Sequence, residues 1–103
     1  LDPRVARAIE AVRARLAEPV RLGDAARTVH LSPERFRRLF LEQTGMRFRP
    51  YVLWVRLERA LEAYSAGRTL TEAAQAAGFA DSAHLSRTFR RMFGVAPASL
   101  AIE

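Results

Sequence analysis

Apolar residues recur at three- and four-residue steps through most of this chain, the spacing that lines one side of an α-helix. The pattern is clearest from Pro50 to Gly67, where Leu53, Leu57, Ala60, Leu61 and Tyr64 share a side and Trp54 widens it. Pro50 suits a first helical position, because its missing N–H would be unpaired there anyway, and Gly67 suits the positive-φ residue just past a helix end. The spacing predicts one unbroken helix over 50–66, a rod of roughly 24 Å. Before it, Asp2-Pro3 opens a helix with Val5, Ile9, Val12 and Leu16 inside and Arg4, Arg7, Glu10, Arg13 and Arg15 elsewhere, read as a solvated face; Pro19 ends it. A shorter helix follows, with Gly23 or Asp24 near its cap and the small residues Ala25, Ala26 and Val29 inward. Ser32-Pro33-Glu34 then caps and starts a third helix, whose stripe is Phe36, Leu39 and Phe40 and whose stop is Gly45. Met46-Arg47-Phe48-Arg49 reads as a short basic connection into the rod.

After Gly67 the pattern restarts. Thr69 or Thr71 caps a short helix with Ala73, Ala74 and Ala77 inward, Gly78-Phe79-Ala80 turns, and Asp81 caps a helix striped by Leu85, Phe89 and Met92 or Phe93 and ended by Gly94. Ala96-Pro97 begins a last short turn or helix through Leu100. The halves overlay: Ala25-Ala26 recurs as Ala73-Ala74, 48 residues on, and Phe40 and Gly45 recur as Phe89 and Gly94, 49 residues on. The second turn is therefore one residue longer. Each half is a short helix with an Ala pair, a tight turn and a longer helix carrying arginine on its outer face, which is the helix-turn-helix plan. The expected fold is all-α: two helix-turn-helix subdomains, 20–45 and 69–94, joined by one long central helix, about seven helices in all.

Composition sharpens this picture. The 103 residues are half hydrophobic, enough for one compact domain with a core. No run approaches eighteen apolar residues, so no membrane span is expected, and there is no charged-then-apolar leader. The chain opens on Leu1 rather than Met, which points to a fragment or a processed chain. There is no cysteine, which removes disulfides, thiol nucleophiles and thiolate metal sites and fits a reducing cytoplasm. No Ser-His-Asp grouping, paired carboxylates or phosphate loop is present, so neither an enzyme nor a cofactor or metal is expected. The net charge is +6, and all seventeen basic residues are arginine. That balance fits a polyanionic partner or the arginine habit of a GC-rich genome; placement decides between them. Two copies of one plan, each with arginines on the same side of its second helix, favour double-stranded DNA.

The stretch A-x-x-x-G-F from Ala74 to Phe79, then Leu85, Arg87, Phe89, Phe93-Gly94 and Pro97, together with Leu22, Ala25-Ala26, Leu31-Ser32, Phe36, Arg38, Phe40 and Gly45, resembles the DNA-binding domain of the AraC/XylS family of bacterial transcription regulators. The resemblance runs from about Val5 to Leu100. It implies an AraC-type DNA-binding domain over 1–103, monomeric or dimeric regulators with both recognition helices in successive major grooves, and a rod that sets their spacing. It also implies an effector or dimerisation domain N-terminal to this segment, and contact with RNA polymerase as an added role in activation. The ending Leu100-Ala101-Ile102-Glu103 departs from the aromatic and basic residues usual there.

Matched position by position, the family's base-contacting places fall on Glu34, Arg37 and Arg38 in the first recognition helix, and on Ser82, Ala83, Ser86 and Arg87 in the second. Arg37, Arg38 and Arg87 can fork onto guanine, and Ala83 offers only apolar contact. Glu34 either accepts from cytosine or holds an arginine in place. The second set is smaller and less charged, so the second half is expected to specify less sequence. Arg35 is a phosphate contact or a solvated charge, and His84 a phosphate contact or a surface histidine. Arg47, Arg49, Arg90 and Arg91 are placed for phosphates, which position without reading.

Overall fold

Asp2 and Pro3 start the first helix by their own chemistry. In the computed structural model, which describes residues 1–94, the Asp2 carboxylate accepts from the Arg4 N–H at 2.8 Å and Pro3 takes the first position of α1 (Pro3–Ala14). Helix α2 (Leu22–Thr28) begins after Arg21, which provides no side-chain cap; Asp24 sits in its first turn, so neither Gly23 nor Asp24 is the cap. Ser32 Oγ accepts from the Arg35 N–H at 3.2 Å to start α3 (Pro33–Thr44), which stops at left-handed Gly45, φ 76°. The long helix α4 (Phe48–Ser65) starts two residues before Pro50. Phe48 is buried in the first core, and that burial draws its turn into the helix. Pro50 still lies in the first turn, where no N–H has an intrahelical partner. Arg49 accordingly belongs to α4 rather than to a connecting loop.

In the second half Thr69, not Thr71, is the cap of α5 (Leu70–Ala77). Its hydroxyl accepts from the Glu72 N–H at 3.1 Å while the Glu72 carboxylate accepts from the Thr69 N–H at 2.9 Å, a reciprocal box that holds Glu72 below the usual carboxylate range. Asp81 accepts from the His84 N–H at 2.7 Å to start α6 (Ser82–Phe93). Among the described residues there are six helices and no strand. The short helix expected from Ala96-Pro97, with Leu100 and the departing C-terminus, lies outside them.

The chain divides into two units, Leu1–Val55 and Arg56 onward. The first core gathers Val5, Ala8, Val12 and Leu16 of the α1 segment, Ala25, Ala26 and Val29 of the α2 segment, Phe36 and Phe40 of α3, and Phe48, Val52 and Val55 of α4. Four aromatic rings meet there: Phe40 lies 5.7 Å from Phe36, 5.3 Å from Phe48 and 5.1 Å from Tyr51, centroid to centroid. The second unit buries Leu57 and Ala60 of α4, Ala73, Ala74 and Ala77 of α5, Phe79, and Leu85, Thr88 and Phe89 of α6. Helix α4 thus serves two cores, and each takes its own positions. Of the expected stripe, Leu57 and Ala60 are buried, Leu53, Leu61 and Tyr64 are half-buried, and Trp54 beside them is 39 % exposed. On α6 the buried residues are Leu85, Thr88 and Phe89; Met92 and Phe93, expected inside, are 42 % and 45 % exposed, although the Phe93 ring lies 4.7 Å from that of Phe89.

The two turns repeat at the level of single hydrogen bonds. The Leu31 N–H donates to the Ala26 carbonyl at 3.0 Å, and the Phe79 N–H donates to the Ala74 carbonyl at 2.9 Å. His30 and Gly78 are equivalent, and both are left-handed, at φ 59° and 85°. The extra residue of the second turn, Ala80, follows this shared frame. Histidine at positive φ carries a steric cost that glycine avoids, and His30 is exposed, so its ring adds little packing. His30→Gly is therefore expected to raise stability by about 1 kcal/mol, net of glycine's greater unfolded entropy, read as a rise in thermal midpoint of ~4–8 °C. A lower midpoint would show that the histidine ring holds the turn.

Candidate nucleic-acid interface

Helix α3 is oriented by its own sequence. Phe36 and Phe40, both fully buried, anchor one side in the first core. The helical period then turns Glu34, Arg35, Arg37 and Arg38 outward, and all four are exposed. The serine cap at Ser32 fixes where this face begins. The structure brings Glu34, Arg37 and Arg38 into one cluster. Arg37 donates to both carboxylate oxygens of Glu34, Nη2 to Oε1 at 2.7 Å and Nε to Oε2 at 3.2 Å. Arg38 Nη2 stands 3.7 Å from Oε1. The Arg37 guanidinium holds the Glu34 carboxyl below the usual carboxylate range, with Arg38 adding to the effect.

One neighbour came from outside the expected set. Arg4 of α1 lines a shallow depression of about 290 Å³ together with Leu31, Glu34, Arg35, Arg38, Leu39 and Glu42. The Asp2 N–H donates to the Gln43 side chain at 2.6 Å, which ties the start of α1 to the end of α3, and Asp2 in turn holds the Arg4 guanidinium at 3.0 Å. No sequence spacing signals this meeting, because its partners are about thirty to forty residues apart and both face solvent.

Helix α6 repeats the scheme with less charge near its start. Leu85, Thr88 and Phe89 are buried, Ser82 and Ser86 are half-buried, and Ala83, His84, Arg87, Arg90 and Arg91 are exposed. The His84 ring meets the Phe79 ring edge-on at 5.4 Å, so it is braced against the turn. Arg90 and Arg91 lie in the last turn of α6. Arg47 is exposed beside the start of α4, and Arg49 is exposed within its first turn. Among the described residues no group of three or more His, Asp or Glu could hold a metal ion, and no helix is long and apolar enough to cross a membrane.

Known proteins resemble this chain in sequence and fold. A helix-turn-helix domain profile matches residues 25–101. The uncharacterised HTH-type transcriptional regulator YpdC of Escherichia coli K12 is 37 % identical over 84 residues, covering 79 % of this chain and 29 % of that protein. The HTH-type transcriptional activator RhaR of Pectobacterium atrosepticum is 35 % identical over 92 residues, covering 88 % of this chain and 32 % of that protein. The crystal structure of a transcriptional regulator described as an AraC-type DNA-binding domain-containing protein, from Chromobacterium violaceum, matches with a TM-score of 0.84 at 29 % identity, over 93 % of this chain and 87 % of that one. The chain spans about a third or less of the length of the two curated relatives.

Proposed function

Because this chain belongs to the AraC-type helix-turn-helix family of bacterial transcription regulators, we propose that it binds double-stranded DNA sequence-specifically, with α3 and α6 as its recognition helices. The observation that carries this is the repeated unit: the same hydrogen-bonded turn twice, each time followed by a side-chain-capped helix whose exposed face carries arginine. A helix of this kind enters the major groove and reads base edges with its first turns. Arg37 and Arg38 on α3 and Arg87 on α6 fork onto guanine O6 and N7, and Ser82, Ala83 and Ser86 make smaller contacts. Arg35, Arg47, Arg49, Arg90 and Arg91, with His84, meet phosphates and set the register. The chain is the DNA-binding part of a longer regulator, a reading supported by its share of the relatives' length.

Salt tests this most directly. Each phosphate neutralised contributes a slope of about −0.9 to log affinity against log salt. Five arginine–phosphate contacts give a slope of roughly −4 to −5, a loss of a few hundred-fold between 50 and 200 mM salt. The measurement is a titration of a duplex selected from a random pool, followed by fluorescence anisotropy. A flat response removes groove binding.

A further inference from the structure

We infer that Glu34 is a specificity-determining residue that works through Arg37: it restrains the arginine on α3 and lowers affinity for non-cognate DNA, and it does not read a base itself. This rests on the reading that α3 enters the groove. Both Glu34 oxygens are already engaged, at 2.7 Å with Arg37 Nη2 and 3.2 Å with Nε, and Arg38 Nη2 lies 3.7 Å from the first. Accepting from a cytosine amino group would have to share an oxygen that the fork already engages. The fork occupies the Nε–Nη2 edge of Arg37 and leaves Nη1 and the second Nη2 proton at the outer end, a pair of donors matched to guanine O6 and N7. The guanidinium is thus oriented before DNA arrives, and less ordering entropy is lost on binding the right base pair.

The pair does little for folding. The Arg37 and Glu34 side chains are 51 % and 61 % exposed, and exposed ion pairs contribute little stability. What the carboxylate changes is the field that α3 presents. Helix α3 carries Arg35, Arg37 and Arg38 with Glu34 and Glu42, whereas α6 carries Arg87, Arg90 and Arg91 with no acidic residue. On a non-cognate duplex no guanine edge rewards the oriented Arg37, while Glu34 still repels phosphate. The discrimination comes from penalising the wrong partner as much as from favouring the right one. Helix α6 has one carboxylate at its start, Asp81, but it caps the helix by accepting from the His84 N–H and restrains no arginine, so α6 supplies affinity more than selection.

The test measures the chain and its Glu34→Ala and Glu34→Gln variants on the selected duplex and on a scrambled duplex, across a salt series. Both variants are expected to bind the scrambled duplex about five- to ten-fold more tightly, to steepen its salt slope by about one, to lose about two-fold on the selected duplex, and so to narrow the cognate-to-scrambled ratio about ten- to twenty-fold. In an Arg37→Ala background the cognate part of the Glu34 effect disappears, while a merely structural residue would instead shift the thermal midpoint. Unchanged scrambled affinity and slope, with the loss confined to duplexes altered at one C·G pair, would make Glu34 a direct reader and overturn the inference. Arg38→Ala is measured alongside. If it leaves the selected duplex equally well bound, the groove reading has failed; if it weakens binding while the Glu34 variants change nothing, only the restraint has.

Discussion

Phe40→Ala unfolds the first unit, or brings it to the edge of unfolding. Phe40 is fully buried and touches three other rings, Phe36, Phe48 and Tyr51, so its removal takes apolar contact from α3 and α4 at once. Phe→Ala in a packed core costs about 3–5 kcal/mol, the transfer term plus the cavity left behind. A folded unit of some 55 residues has only about 3–8 kcal/mol in hand at ~0.05–0.15 kcal/mol per residue, and small units bury the least surface. The two quantities are of the same size, so α3 loses its seat along with the core. Denaturant unfolding followed by helical circular dichroism should show an early transition belonging to residues 1–55. The single tryptophan, Trp54, lies inside that unit and gives a second probe of the same event. Leu41→Ala is the contrast: Leu41 is the next residue on α3, but it is 39 % exposed, and its loss should change stability by no more than about 0.5 kcal/mol. Equal effects at 40 and 41 would mean that the aromatic cluster does not carry the unit.

The sequence told most where local chemistry decides structure. Ser32-Pro33 and Asp81 act as caps in the structure, and Gly45, Gly78 and Gly94 all take the left-handed conformation. Each of these is settled by one or two residues. Legibility failed where a distant partner decides. Trp54 is apolar and falls beside an apolar stripe, yet α4 serves two cores, and neither claims that position. Phe48 reads as part of a basic connector until its burial pulls the helix start upstream. Thr88 is polar by name but buried at 1 %, because the period of α6 places it between Leu85 and Phe89; its hydroxyl finds no partner among the described residues. At the interface, the outward arginines were readable from period and charge. The fork between Glu34 and Arg37 was only one of two readings, since a carboxylate three residues before an arginine can face it or face the ligand. The meeting of Arg4 with Arg35 and Arg38 was not readable at all, because the hydrogen bond from Asp2 to Gln43 that ties the start of α1 to the end of α3 leaves no local trace.

Arg38→Ala should cost about 1–3 kcal/mol on the selected duplex, some five- to 150-fold in affinity, and should relax the preference at one base pair. Of the two outward arginines close to Glu34, Arg38 is the one held loosely. Its side chain is 70 % exposed and its nearest carboxylate oxygen is 3.7 Å away, against 2.7 Å for Arg37. Its fork is therefore available to a guanine without breaking a short ion pair. Arg87→Ala on α6 should behave in the same way at a second position, since Arg87 follows half-buried Ser86 on the exposed face. Arg91→Ala should differ in kind. Arg91 lies in the last turn of α6, beyond the turns that reach base edges, so its loss weakens all duplexes alike and lowers the salt slope by about one. Arg13, exposed in the last turn of α1, provides the baseline, and Arg13→Ala should leave both affinity and preference near those of the parent chain. Four variants with one net charge change produce three different outcomes only if position on the helix, and not total charge, governs binding. If Arg38→Ala and Arg13→Ala lose the same affinity on selected and scrambled duplexes, the field of the whole domain is all that DNA feels, and α3 does not read the groove.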